Sequence, residues 1–270
     1  MSKYSRDKDV RDTIAYLLGE FADATVFQSR YSMKANLDQG MILREPYALI
    51  GNAPDPDIFY LGEAKKTSGK FSIAATSWSG NINKGFEVYE WLDNNLDFSR
   101  YDMTFIGNSP ADFKNITLIP PLPSAQLADE LRKRHVYITA SLSDPCSNAL
   151  IEALNCGLVP IARNSGGHPE IVRDESLLFD EATEIPGILD RIAAEHERIL
   201  QRLTVWTIED IAGQYCDFAR YVIQKGRKYL PEKTFKKTVG FLREILGVKE
   251  KKRLWKKMFI SYNIFPWRNN

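Results

Sequence analysis

Ser141-Leu142-Ser143-Asp144-Pro145-Cys146-Ser147-Asn148-Ala149-Leu150-Ile151-Glu152-Ala153-Leu154 is the stretch whose reading decides the fold. It follows a short apolar run, Val136 to Thr139, and precedes another, Leu158 to Ala162. Between them, Ser147 to Cys156 carries the apolar residues of a buried helix (Ala149, Leu150, Ile151, Ala153, Leu154) behind a capping serine. Strand, polar loop, helix, strand is the unit that lays two strands parallel and covers them with the helix joining them.

The same alternation extends in both directions. Strand candidates are Phe71 to Ala75, Met103 to Ile106, Ile116 to Ile119, Val136 to Thr139, Leu158 to Ala162 and Leu177 to Phe179. Helices are predicted at Lys84 to Asn95, Ser124 to Arg134, Ser147 to Cys156 and Pro169 to Arg173, with Glu184 to Leu203 and Ile208 to Ile223 closing the unit. The expected fold class is α/β, a doubly wound parallel sheet over 51–224. Ahead of it, 1–50 reads as a helix at 9–21, a strand at Asp23 to Phe27, a helix from about Ser29 and an apolar run Pro46 to Ile50. These are too few strands for a sheet of their own. Asn52-Ala-Pro-Asp-Pro-Asp57 is a proline-broken linker.

Composition sets the outer limits. With 270 residues, 44% hydrophobic and 26% charged, the chain is ordinary globular protein rather than disordered or collagenous. It has no apolar run long enough to span a bilayer, and its first residues do not read as a secretory signal. Three cysteines fit a reduced, cytoplasmic setting, and three scattered histidines give no metal-ligand spacing, so no metal or other cofactor is expected. The net charge of +1 hides an asymmetry. From Lys225 to Asn270 there are 14 Lys plus Arg against 3 Glu, a net +11, which leaves −10 for 1–224.

In a doubly wound sheet, ligands sit beyond the carboxyl ends of the strands, so three loops are of interest. Lys84 and Gly85 stand at a helix start, where free N–H groups and a cation favour phosphate; a solvated lysine beside a turn glycine is the simpler alternative. Asp144 precedes a helix and Glu152 lies about two turns inside it, flanking the backbone amides of Ser147, Asn148 and Ala149. Two hydroxyl-accepting carboxylates around a cluster of N–H donors suit a sugar attached to phosphate. Capping accounts for Asp144 or Ser147, but not for Glu152 in an apolar run. Gly166-Gly167-His168-Pro169-Glu170 follows the next strand, with glycines that permit close backbone approach and Glu170 on the same crevice edge.

At these residues the sequence resembles the family 4 retaining glycosyltransferases of the two-Rossmann-domain (GT-B) type, in their C-terminal donor-binding domain. That family carries a Glu, seven residues, then Glu-Ala-Leu; here the pattern is Asp144, seven residues, Glu152-Ala-Leu154, followed by Cys156-Gly-Leu-Val-Pro160. Lys84-Gly85, Gly166-Gly167-x-x-Glu170, the linker Asn52-x-x-Asp55 with Phe59, and Val26 to Ser29 match further motifs. The resemblance implies a metal-independent hexosyltransferase using a UDP- or GDP-sugar and a hydroxyl acceptor. Glu152 would hold the ribose hydroxyls, Asp144 the transferred sugar, the 146–149 amides its phosphate, and Lys84 the diphosphate. Departures are the Asp in place of the first Glu, and Thr76 to Gly80 where the family usually has an arginine. The stretch 1–50 would be the remnant of an acceptor domain otherwise supplied by a partner chain. A nucleotide-sugar-binding module without catalysis is the rival function.

Two motifs have competing readings. Cys146 at a helix start and His168 on a neighbouring loop could form a nucleophile and base, but no third group orients them. His135 reads as structural and His196 as solvated. In 225–270, Phe235, Val239, Leu242 and Leu246 share one helical face, and Leu254, Trp255, Met258 and Phe259 another, with lysines opposite. That pattern fits a helix on an anionic membrane surface, which would place the chain peripherally on the inner membrane face. It fits equally a terminal helix packed on the protein's own body, the more usual use of such a face. No base-reading module is present, so no nucleic acid partner is expected.

Overall fold

Short β-branched and apolar runs, each too brief for a helix, pair side by side as parallel strands, and the amphipathic segments between them cover both faces. The computed structural model describes residues 22–39, 41, 43–62 and 69–225. The helix expected at 9–21 and the basic tail from 226 onward lie outside the described residues.

The first element is a short parallel ladder. Strand β1 (Thr25–Phe27) pairs with β2 (Tyr47–Leu49), and helix α1 (Arg30–Asp38) connects them. Ser29 caps α1 by accepting the Ser32 N–H. Contrary to the expectation that its strands are too few for a sheet, this piece forms a two-stranded parallel sheet of its own.

The main sheet has six strands: β3 (Phe71–Ser77), β4 (Tyr101–Gly107), β5 (Thr117–Ile119), β6 (Val136–Thr139), β7 (Val159–Arg163) and β8 (Leu178–Phe179). Its spatial order is β5-β4-β3-β6-β7-β8, parallel throughout. The chain therefore winds outward from β3 through β4 and β5, then crosses to the other side of β3 to lay down β6. The loops leaving β3 and β6 diverge at that reversal and open a crevice at the strands' carboxyl ends. Helices α2 (Phe86–Asn95), α3 (Ser124–Arg132), α4 (Asn148–Asn155), α5 (His168–Val172), α6 (Ile185–Leu200) and α7 (Ile208–Lys225) follow in order. Ile73, Ile138 and Ile161, on adjacent central strands, have no solvent exposure, and neither does Leu150 of α4. This core fixes the crevice loops to a rigid base.

Element ends differ from expectation by one to three residues. The helix expected over Glu184 to Leu203 runs from Ile185 to Leu200 and is interrupted by non-helical Glu195. His196, beyond that interruption, is half-buried rather than solvated. It sits edge-on to Phe71 and to His135, 5.5 Å from each, while His135 stacks on Phe71 at 4.5 Å.

Candidate functional site

Both loops at the reversal contribute a charged group, and the two meet. Residues 82–84 form one turn of 3₁₀ helix, and Gly85 then takes a left-handed φ of 72° to start α2. A side chain at Gly85 would collide with the Ala140 carbonyl, so glycine is what lets this turn pack against the end of β6. The turn carries Lys84 to Asp144, with Nζ 3.5 Å from Oδ2 and both side chains largely buried. The other Asp144 oxygen accepts the Cys146 N–H at 3.2 Å. The Cys146 amide is thus spent on an Asx turn, and Ser147, not Asp144, caps α4 by accepting the Leu150 N–H. The N–H groups of Asn148 and Ala149, in the first turn of α4, have no intrahelical acceptor.

Asn148 and Glu152 stand one turn apart on α4 and both line a cleft of about 770 Å³. The linker from Gly51 to Asp55 forms another wall, and α7 closes the cleft with Ile208, Ile211, Ala212, Tyr215 and Cys216. Burial pushes the Glu152 carboxyl up to about 7. A partly buried carboxyl with that affinity for protons is divided between neutral and ionised forms near neutral pH, and the ionised form is the stronger acceptor for hydroxyl groups.

The third loop is placed differently from expectation. Gly166 has a φ of 66°, and a side chain there would strike the Asp144 backbone. A side chain at Gly167 would meet the Pro145 carbonyl. The glycine pair therefore admits the neighbouring loop, and the Gly167 N–H donates to the Asp144 carbonyl at 2.8 Å. Glu170 faces the N-terminal piece: its two carboxylate oxygens accept the N–H groups of Arg30 and Tyr31, each at 2.9 Å. Its negative charge sits at the N-terminus of α1, where the helix dipole favours it. The Ser29 hydroxyl adds a second tie by donating to the Pro145 carbonyl at 2.5 Å.

Cys146 and His168 make no nucleophile and base. Burial pushes the Cys146 thiol up to about 11, the reverse of an activated thiolate. His168 is fully buried, its Nδ1 donates to the Arg163 carbonyl at 2.9 Å, and burial lowers its proton affinity. Among the described residues no group of three or more His, Cys, Asp or Glu could hold a metal ion.

Sequence reasoning passed over Gln28 and the side chain of Asn52. The Gln28 amide donates to Asn52 Oδ1 at 3.1 Å, and the Asn52 amide donates to Asn148 Oδ1 at 2.6 Å. Gln28 and Asn148 belong to distant parts of the chain, and the only sequence signal was that Gln28 lies within Val26 to Ser29 and Asn148 between Asp144 and Glu152.

Residues 113–194 match the model of the family described as glycosyl transferases group 1. Over 121 residues the chain is 26% identical to the phosphatidylinositol N-acetylglucosaminyltransferase GPI3 subunit of Saccharomyces cerevisiae, covering 40% of this chain and 27% of the yeast protein. The matched part is thus about a quarter of that relative's length. Among solved structures, sucrose-phosphate synthase from Thermosynechococcus elongatus superposes with a TM-score of 0.63 at 18% identity, over 83% of this chain and 65% of that one. Anabaena HepE in complex with UDP-glucose superposes with a TM-score of 0.62 at 15% identity, over 80% and 68%. The fold is the Rossmann-like domain of GT-B glycosyltransferases.

Proposed function

We propose that this chain is the donor-binding half of a retaining glycosyltransferase, transferring a hexose from a nucleotide sugar to a hydroxyl acceptor. The observation that carries the reading is the crevice at the winding reversal. Lys84 and Asp144 meet there ahead of the first-turn amides of α4, and Glu152, further along the same helix, lines a cleft of about 770 Å³ together with Asn148. Glu152 would take the ribose hydroxyls and Asp144 the hydroxyls of the sugar. When the bond from the anomeric carbon to the diphosphate breaks, negative charge grows on the leaving phosphate. Lys84 and the Asn148 and Ala149 N–H groups would take up that charge without reorganising. In the absence of ligand, Lys84 rests on Asp144; an arriving diphosphate exchanges one anionic partner for another.

UDP is the favoured nucleotide over GDP, because HepE of similar fold is described with UDP-glucose. The yeast relative's name points to a lipid acceptor, phosphatidylinositol. An acceptor of that kind favours a membrane role for the basic 225–270 tail over packing on the protein's own body. The yeast relative is named as a subunit, which is consistent with a partner chain contributing acceptor contacts.

The test of catalysis is release of UDP from UDP-glucose and UDP-N-acetylglucosamine. It is run with the full chain and with Lys84→Ala, in the presence of phosphatidylinositol vesicles. Turnover that depends on Lys84 supports transfer. Tight UDP binding without turnover supports the second reading, a nucleotide-sugar-binding subunit.

A further inference from the structure

The amide chain from Gln28 through Asn52 to Asn148 crosses the crevice from the N-terminal piece to the helix that carries Glu152. Gln28 directly follows β1, Asn52 lies in the linker, and Asn148 is the first residue of α4. A carboxamide has two unlike ends, an oxygen that accepts and an NH₂ group that donates. In a chain of such groups, the orientation of one dictates the next. Here the Gln28 NH₂ donates to Asn52 and the Asn52 NH₂ donates to Asn148 Oδ1. The Asn148 oxygen is therefore occupied and its own NH₂ group is left on the opposite arm of the amide, on a residue that lines the Glu152 cleft. Reversing every amide would preserve both hydrogen bonds, yet would present the Asn148 oxygen instead. Facing an anion, the first arrangement attracts and the second repels.

We propose that Gln28 and Asn52 are positioning residues that set the polarity of the Asn148 amide, so that it offers N–H to the diphosphate of a nucleotide. This rests on the donor-site reading above and adds a coupling to it: the residue directly after β1 helps to set the affinity of a site on α4. The 2.6 Å separation between Asn52 and Asn148 makes that link the shorter of the two. Glu170 and Ser29 tie the start of α1, the residues directly after Gln28, to the same loops.

The test reverses the chain from its far end. In Gln28→Glu, the new carboxylate can only accept, so Asn52 must turn its NH₂ toward it, and Asn148 must then donate to Asn52. UDP and uridine affinities are measured by calorimetry on the full chain for wild type, Gln28→Glu, Asn52→Leu and the double variant. We expect Gln28→Glu to weaken UDP by about fivefold or more and to leave uridine unchanged. In the Asn52→Leu background, where the chain is cut, the same substitution should cost less than about twofold. Asn52→Asp, which also forces Asn148 to donate away from the cleft, should reproduce the loss for UDP. An equal loss with and without Asn52 would assign the effect to the distant charge and overturn the proposal, as would unchanged UDP affinity in Gln28→Glu. If wild type binds neither UDP nor uridine, the donor-site reading itself fails and the coupling falls with it.

Discussion

Lys84 and Glu152 occupy the two electrostatic extremes of the crevice. Lys84 is held by one partner, Asp144, and replacing it by alanine leaves that largely buried carboxylate without its cation. We expect Lys84→Ala to lose about 1 kcal/mol of stability, and UDP affinity to fall about tenfold or more because a charge-assisted contact is lost. Calorimetry with UDP and with uridine separates the two effects, since only the diphosphate depends on the lysine. Glu152 behaves oppositely in the ligand-free protein. Its carboxyl titrates near 7 when folded, above its usual value, so the folded state holds the proton more tightly than the unfolded chain. Stability is therefore full at acid pH and declines as pH rises from the ordinary glutamate range to about 7. Glu152→Gln should melt at a higher temperature than wild type at pH 8, with the difference vanishing at pH 4. Equal melting temperatures at pH 8 would show that burial costs this carboxylate nothing. Ribose hydroxyls need the ionised form as acceptor, so UDP binding near neutral pH should release a proton, read as a buffer-dependent calorimetric enthalpy.

At the scale of elements, Glu170 defines how the N-terminal piece is attached. Its carboxylate replaces water at two N–H groups of α1, and nothing else in the described structure offers those amides a charge. Glu170→Ala should cost about 1–2 kcal/mol and speed amide exchange across residues 30–33, while UDP affinity stays within about twofold of wild type. A large loss of UDP affinity with unchanged exchange would return Glu170 to the ligand site. The sequence could not reveal this arrangement. Helix α5 has five residues, too short to show which side faces the crevice, and the amides that Glu170 meets lie 140 and 139 positions away. The Asn52–Asn148 contact spans 96 positions and is equally invisible to local pattern. The strands were legible because β3, β4, β6 and β7 are buried on both faces and read as continuous apolar runs bounded by turn residues. Strand β8, with two residues, survives only as a pair added to β7. Lys84 and Asp144 stand out in the sequence as polar residues in the loops that follow strands, and Glu152 as a carboxylate inside the apolar run of a helix. His196 was misread because its neighbours in sequence are charged, whereas its neighbours in space are Phe71 and His135.

Over the whole molecule, charge and topology divide the labour. The sheet's winding order puts the crevice at the carboxyl ends of its central strands β3 and β6, while the 225–270 stretch carries a net +11. No helix among the described residues is long and apolar enough to cross a membrane, and the membrane role proposed for the basic segment is tested on its own. The full chain should pellet with phosphatidylserine vesicles at low salt and be released at high salt, whereas a chain ending at residue 225 should stay in solution. Retention of the full chain in the supernatant at low salt would assign the tail to internal packing. The most direct measurement is the shift in melting temperature of wild type and Glu152→Ala across UDP, GDP, UDP-glucose and UDP-N-acetylglucosamine. At about a hundred times its dissociation constant a ligand adds about 2.7 kcal/mol to stability. We expect the UDP series to raise the melting temperature of wild type and to lose that effect in Glu152→Ala. No shift with any of the four, or an equal shift in both proteins, would contradict a nucleotide-sugar site at the winding reversal.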